Sequence, residues 1–390
     1  MKKIIKSEKA PIKLWLDDIE AGALAQAKNL ANLPFVFKHI AVMPDAHQGY
    51  GMPIGGVMAT ADVVIPNAVG VDIGCGMCAV RTSLHAIDQE HLKGVLSEIR
   101  KAVPLGFNHH KRPQSPALMP VPAEGDIADL PVVSREYENA RTQIGTLGGG
   151  NHFIEIQRGN DGHIWLMVHS GSRNIGFKVA NHYNRLAEEL NRRQGAKIPP
   201  SWQLAFLPVH EREGKAYLRE MRYCVDFALA NRRLMMERIK EALLRVVSPV
   251  TFEPMINIAH NYAALEEHFH KGVIVHRKGA TSARAGEIGI IPGSQGTPSY
   301  IVRGLGNPES FTSCSHGAGR IMGRKQAQRQ LDLDREKRRL ESQGIIHAIR
   351  GRADLEEAAG AYKDIDEVIG NQLDLVEVLV ELRPLAVIKG

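Results

Sequence analysis

Residues 37–60 read FKHIAVMPDAHQGYGMPIGGVMAT. Short apolar runs are broken here by Gly and Pro, the pattern of strands carrying glycine-rich turns. ADVVIP (61–66) and CAVRT (78–82) extend it. Upstream, residues 1–35 combine a short strand-like start with a helix over DDIEAGALAQAKNLANLP, which Pro34 ends. Downstream, 86–103 has the periodicity of an amphipathic helix. Residues 104–131 are Pro-rich, contain the basic cluster HHKRP, and read as an exposed insertion loop.

A short helix (SREYENARTQI) then leads to two β-rich pieces joined by a turn, GTLGGGNHFIEIQ (145–157) and DGHIWLMVHSGSRNIG (161–176). Helices are expected at about 176–194 and 217–247, followed by a second β-rich block over 251–303. A long charged helix is expected from about 317 to 342 and a final one from about 363 to 382. At 390 residues, length alone suggests two or three domains of about 150. The strand blocks alternate with helices without a βαβ dinucleotide fingerprint, so the expectation is one compact α+β domain over 1–390, a β-sheet core flanked by helices.

Aromatic residues are only 5%, while Gly (37) and His (17) are plentiful, which points to tight turns rather than a helix bundle. No apolar run approaches the ~20 residues of a membrane span, and the start MKKIIKSEKAPIKLW lacks the apolar run of a secretory signal. A cytoplasmic protein is the expectation. Lys and Arg number 49 against 43 acidic residues. That excess favours a polyanionic partner such as RNA, since each neutralised phosphate releases counterions. Charge alone fits an ordinary basic protein equally well.

Metal-capable side chains recur in glycine-rich or strand-end contexts: Asp45 and His47 (MPDAHQG), Asp72 and Cys75 (VDIGCG), Asn151 and His152 (GGGNHF), His169 (VHSGSR), His260 and Asn261 (AHNY), and His316 (SHGAGR). Asp72 and Cys75, three residues apart in a loop, could give a carboxylate and a thiolate to one centre, and a thiolate can bridge two ions. Mixed Cys, His and Asp ligation suits Zn, Mn or Fe without choosing among them. The plainer alternative is Asp72 as a turn residue and Cys75 as a small buried hydrophobe. Cys78 completes a CxxC, but no second CxxC makes a structural zinc site. HSGSRNIG and SHGAGR each place a His, small residues and an Arg together. Their backbone N–H groups, with Arg173 and Arg320, could cradle phosphate. SHGAGR is expected to open a helix whose N-terminus favours an anion. Lys278 and Arg324 add basic groups.

Taken in order, FVFKHIAVMPDAHQG, NAVGVDIGCGM, LGGGNHFIEI, VHSGSRNIG, RKGATSARAGEIGIIPGS, IVRGLGNPESF, SCSHGAGR, AYKDIDEV and the terminal VIKG closely resemble the RtcB family of RNA-splicing and repair ligases. The resemblance implies two Mn²⁺ ions bridged by Cys75, with Asp72 and His152 on one, and His169 and His260 on the other. It implies GTP as cosubstrate and His316 as the nucleophile that becomes guanylylated. Asp45 would help activate the incoming hydroxyl. Glu155, Tyr362 and Lys389 would read guanine. A carboxylate can accept both the N1 and N2 protons of guanine, which adenine does not offer. Asn151, Ser294, Ala318 and Gly319 would also touch the nucleotide, and Arg173, Lys278, Arg320 and Arg324 would contact GMP or RNA phosphates. The implied partners are RNA with broken ends and an archease-type activator. Cys78 departs from the family pattern, as do the MPDAHQG loop and the 104–131 insertion. A metal-dependent phosphodiesterase or phosphatase acting on RNA ends is the alternative. It would leave Glu155 and Lys389 idle.

Overall fold

The computed structural model describes residues 1–390. Two sheets carry the fold. The six-stranded sheet has the order Lys3–Ile5, Ile12–Leu14, Val36–His47, Ile54–Thr60, Lys271–Lys278, Asn261–His268. The seven-stranded sheet runs Ile256–Ala259, Gly76–Arg81, Ile164–Ser170, Phe153–Gly159, Val376–Lys389, Ser299–Gly304, Ile288–Ile291. All pairings are antiparallel except Ile12–Leu14 with Val36–His47. The β-rich reading of 36–83, 145–157, 161–176 and 251–303 is borne out by strands within each stretch, and the class is α+β.

Side-chain alternation builds the layers. In Gly76–Arg81, Cys78 and Val80 face helices Gln89–Ala102 and Arg212–Val246, packing on Leu96, Ile99, Met235 and Ile239. Met77 and Ala79 face the other way, onto Met167, Ile290, Ile301 and Leu382. In the other sheet, Ile40, Val42 and Met58 meet helix Ala21–Ala31. Ala41, Met43, Val57 and Val275 meet Tyr300, Val302 and Val376 of the seven-stranded sheet. The two sheets thus abut through one apolar layer. Helix Arg212–Val246, 35 residues and about 52 Å long, underlies the seven-stranded sheet. No helix is long and apolar enough to cross a membrane.

Two expectations are corrected. Residues 317–342 do not form one helix: 317–323 are loop, and helices Arg324–Gln330 and Leu333–Glu341 follow. Gly319 sits at φ +75°, where a Cβ would strike the Asp45 carbonyl, and Asp332 ends one helix by capping the next, accepting from Arg335 N. SHGAGR consequently opens no helix. The final helix covers only Ile365–Gly370, and Val376–Lys389 is a 14-residue strand. Its alternating β-branched residues suit a sheet, and Pro384, which would break a helix, falls at a register shift of the ladder. The 104–131 segment is largely exposed loop, as expected, and is tied down at points: Met119 and Leu130 are buried, and Arg238 Nη1 lies 2.9 Å from His110 Nε2.

Candidate active site

A cleft of about 1280 Å³ opens where loops from both sheets converge. Loop Gly70–Cys75 is pressed onto helix Arg212–Val246. Gly74 has φ +73°, and a Cβ there would meet Val225 Cα at 2.8 Å. Asn261 holds that loop, its Nδ2 donating to the Asp72 carbonyl at 3.0 Å, while His260 N donates to the Cys75 carbonyl at 2.8 Å. His152 and His169 come from the hairpin of Phe153–Gly159 and Ile164–Ser170, in which Phe153 pairs with His169.

These segments bring together two donor groups that share Cys75. One is Asp72, Cys75 and His152; the other is Cys75, His169 and His260, with all ligand atoms of a group within 4.8 Å of one another. Cys75 Sγ lies 3.2 Å from His169 Nε2 and 3.5 Å from His152 Nε2, and Asp72 Oδ2 is 3.4 Å from His152 Nε2. His169 Nδ1 is 3.1 Å from the Asn151 carbonyl, which accepts its hydrogen bond and leaves the Nε2 lone pair free to ligate. Burial and neighbouring imidazoles hold His169 and His260 far below the ordinary histidine range, so both are neutral, the form that ligates. Burial works against ionising Asp72, but its hydrogen bond with His152 brings it down to about 2. Burial and the Asp72 charge push the Cys75 thiol well up, a cost that a cation reverses. A thiol, a carboxylate and three imidazoles around a shared sulfur fit a pair of transition-metal ions.

Beside this cluster stands His316, its ring 4.8 Å from that of His260. Asp45 Oδ2 accepts from both His316 Nδ1 (2.6 Å) and His316 N (3.1 Å). Burial opposes its charge, but His316 holds the carboxyl below its usual range. The imidazole is thereby fixed as the Nδ1–H tautomer, and Nε2 makes no hydrogen bond within the protein. His47 also lines the cleft, pulled down to about 4 by burial, but belongs to neither donor group.

Every residue given a ligand, nucleotide or phosphate role by the sequence lines the cleft except Asp45, which is fully buried behind His316. Asn151, Ser294, Ala318 and Gly319 form its walls. Glu155, 4% exposed, is pushed up to about 8 by burial against the opposing pull of Lys389 and of Gln157, whose Nε2 donates at 2.6 Å. Lys389, itself pulled down by burial, sits over the Phe153 ring. Arg173, in left-handed conformation, lies against Gly148, where a Cβ would collide with its guanidinium. Lys278 is buried and brought down to about 7, donating to the carbonyls of Tyr50 and Asn67.

Sequence reasoning missed the groups that hold these side chains in place. Glu357, 4% exposed, accepts from Arg324 Nε (3.0 Å), pairs with Arg320 Nη1 (3.2 Å) and takes the Tyr362 hydroxyl. Under the cluster, Arg232 donates through Nη1 to the carbonyls of Gly74 (2.9 Å) and Ser170 (2.7 Å), and through Nε to Asn257 (2.8 Å). Asn231 binds Gly145 N, Thr146 N and the Gly171 carbonyl. The NR pair in ANRR lies on a helix that otherwise buries apolar residues, and its position among them was the only available signal.

The family model for tRNA-splicing ligase RtcB matches residues 26–390. The RNA-splicing ligase RtcB of Escherichia coli K12 is 40% identical, with 99% of each chain covered. The tRNA-splicing ligase RtcB of Thermococcus kodakarensis is 35% identical, over 100% of this chain and 96% of its own. The RNA-splicing ligase RtcB of Mycobacterium tuberculosis is 34% identical, over 94% and 100%. With a family model spanning the cleft-forming segments and relatives aligned along nearly the full length, this chain belongs to the RtcB family of ligases.

Proposed function

We propose that the protein is a GTP-dependent RNA ligase that joins a 3′-phosphate or 2′,3′-cyclic phosphate end to a 5′-hydroxyl end, in tRNA splicing or RNA repair. The observation that carries this reading is the Asp45–His316 pair, with a free Nε2 beside the Cys75 cluster. The Nε2 lone pair attacks the α-phosphorus of GTP. An N–P bond forms, the bond to the β-phosphate oxygen breaks, and pyrophosphate leaves. The imidazole becomes cationic, and the buried Asp45 carboxylate stabilises that charge while keeping the proton at Nδ1. Water opens a cyclic end to a 3′-phosphate, one of whose oxygens takes the GMP from His316. The 5′-hydroxyl then attacks that 3′-phosphorus, loses its proton and expels GMP, leaving the original phosphate in the new diester.

Two divalent ions, Mn²⁺ on the family pattern, would share Cys75, with Asp72 and His152 on one side and His169 and His260 on the other, and would neutralise phosphate charge. Glu155 accepts from the guanine edge once a base offers it two N–H donors, and Lys389 and Tyr362 flank it. The glycine-lined wall at Gly319 lets backbone approach the phosphates. Four free cysteines, all buried, suit a reducing cytoplasm.

Incubation with GTP labelled at the α-phosphate and Mn²⁺ is expected to give an acid-labile, base-stable label on the chain. His316→Ala should abolish it. An unlabelled parent that still hydrolyses RNA ends would overturn the ligase reading in favour of a phosphodiesterase.

A further inference from the structure

Residues 320–352 hold ten Lys and Arg against four Asp and Glu, an excess of six that equals the excess of the whole chain. The remainder of the molecule is formally neutral. This segment begins inside the cleft, where Arg324, Lys325 and Gln326 are wall residues, and leaves it along helices Arg324–Gln330 and Leu333–Glu341. Lys325 and Arg329 are four residues apart on the first helix. Arg335, Arg338 and Arg339 share the exposed side of the second, whose inward positions are Glu336 and Leu340.

The cations of this surface are not spoken for. Lys325, Arg329, Arg335, Arg338, Arg339 and Arg350 are exposed and enter no ion pair or side-chain hydrogen bond. Helix Arg212–Val246 is also rich in charge, yet several of its cations are paired: Arg222 with Asp226 at 3.0 Å, Lys240 with Glu237 at 2.9 Å and Arg245 with Glu98 at 3.5 Å. The acidic groups in and after the basic segment mostly face other tasks. Asp332 caps a helix, Glu336 is buried and accepts from Gly360 N, Asp354 accepts from Arg350 N and Gly351 N, and Glu357 is taken by the cleft arginines. Helix-dipole complementarity explains Asp334 at the start and Arg338 and Arg339 at the end of one helix. It does not explain Lys325, Arg329, Arg335 or Arg350. Arg350 moreover lies close enough to Arg100 to repel it.

We propose that this surface docks the phosphate backbone of the RNA strand whose end enters the cleft. Like-charged, exposed, unpaired side chains aligned along two short helices suit a repeating anion. Their point contacts read charge rather than base sequence. The inference rests on the RNA-ligase reading, and it assigns the RNA path outside the cleft to residues distinct from those that meet GTP.

The test is the triple variant Arg335→Gln, Arg338→Gln, Arg339→Gln, with a triple Lys variant at the same positions. Binding of a 3′-phosphate RNA is followed by fluorescence anisotropy over a salt series, and guanylylation of His316 is followed without RNA. The Gln variant is expected to bind RNA at least tenfold more weakly at low salt. Its slope of log affinity against log salt should be shallower by about 2, from roughly 0.7 per lost contact on a single strand. Guanylylation should be unchanged, and the Lys variant should bind nearly as the parent does. Unchanged affinity and slope in the Gln variant would overturn the docking surface. So would a parallel loss of guanylylation, which would mean that these arginines support the site's structure. A parent chain that fails to bind RNA at all would instead sink the RNA-ligase reading beneath it.

Discussion

Two buried ions organise opposite sides of the cleft, and they are of opposite kinds. Under the metal-capable cluster, Arg232 is fully buried and bonds only to neutral oxygens: two carbonyls and one amide. At the rim, Glu357 is buried and bonds two arginines and a phenol. The base therefore keeps a positive charge with no carboxylate bonded to it beneath Cys75 and Asp72, whereas at the rim one carboxylate holds two guanidiniums. A buried cation without a carboxylate is tolerable where anionic ligands and the loops carrying them gather around it. A carboxylate holding arginines at a cleft wall occupies the place a phosphate could take, so the rim can exchange partners and the base cannot.

The largest expected effect tests the base. Arg232→Met leaves the Gly74 and Ser170 carbonyls without donors, and should cost about 2–5 kcal/mol in urea denaturation. Metal affinity by calorimetry should fall at least tenfold, because the loops bearing Cys75 and His169 lose their common anchor. High concentrations of pyrophosphate should not restore the stability.

Next in size, Glu155→Gln probes the buried carboxylate beside Lys389. Glu155 is held near 8 in the folded protein against an ordinary 4.5. Between these values the folded chain keeps a proton that the unfolded chain has lost, so its stabilising contribution is complete at low pH and fades as pH rises through 8. Stability of the parent should fall across pH 5–8 by on the order of 2–4 kcal/mol from this group, and the Gln variant should flatten that fall.

Glu357→Gln should cost about 1–3 kcal/mol in the protein without added ligand by leaving Arg320 and Arg324 without their carboxylate. Here pyrophosphate should recover much of the loss in a thermal melt, in contrast with Arg232→Met. Equal rescue of both variants would erase the distinction between base and rim. As the small-effect reference, Arg193→Ala breaks an exposed pair with Glu189 and should change stability by less than about 0.5 kcal/mol.

The donor residues were legible because each sits in a local signature: a His or Asp beside glycines or at a strand end, as in VDIGCG and GGGNHF. The supporting ions were not, because Arg232 and Glu357 acquire meaning only from partners distant in sequence, such as Gly74 and Arg324. Secondary structure failed for the same physical reason. LDLVEVLVEL carries a helix-compatible composition, but sheet partners on both sides, Phe153–Gly159 and Ser299–Gly304, decide its state. In 317–342, high charge suggested a long solvent-facing helix, while contacts at Gly319 and the cap at Asp332 interrupt it. The hairpin carrying His152 and His169 needed no distant partner to be recognised, and it was read correctly.

Val376–Lys389 lies between strands made far earlier in the chain. Its position has a consequence for biosynthesis. At about 5–20 residues per second, a ribosome needs on the order of 10–40 s to travel from the end of the 153–170 hairpin to the end of this strand. Throughout that interval Phe153–Gly159 exposes an unpaired edge to other nascent chains, and Ser299–Gly304 does so from its own synthesis onward. Assembly of the seven-stranded sheet is thus a late event, and the protein's yield in a cell depends on how well those edges are shielded while translation finishes.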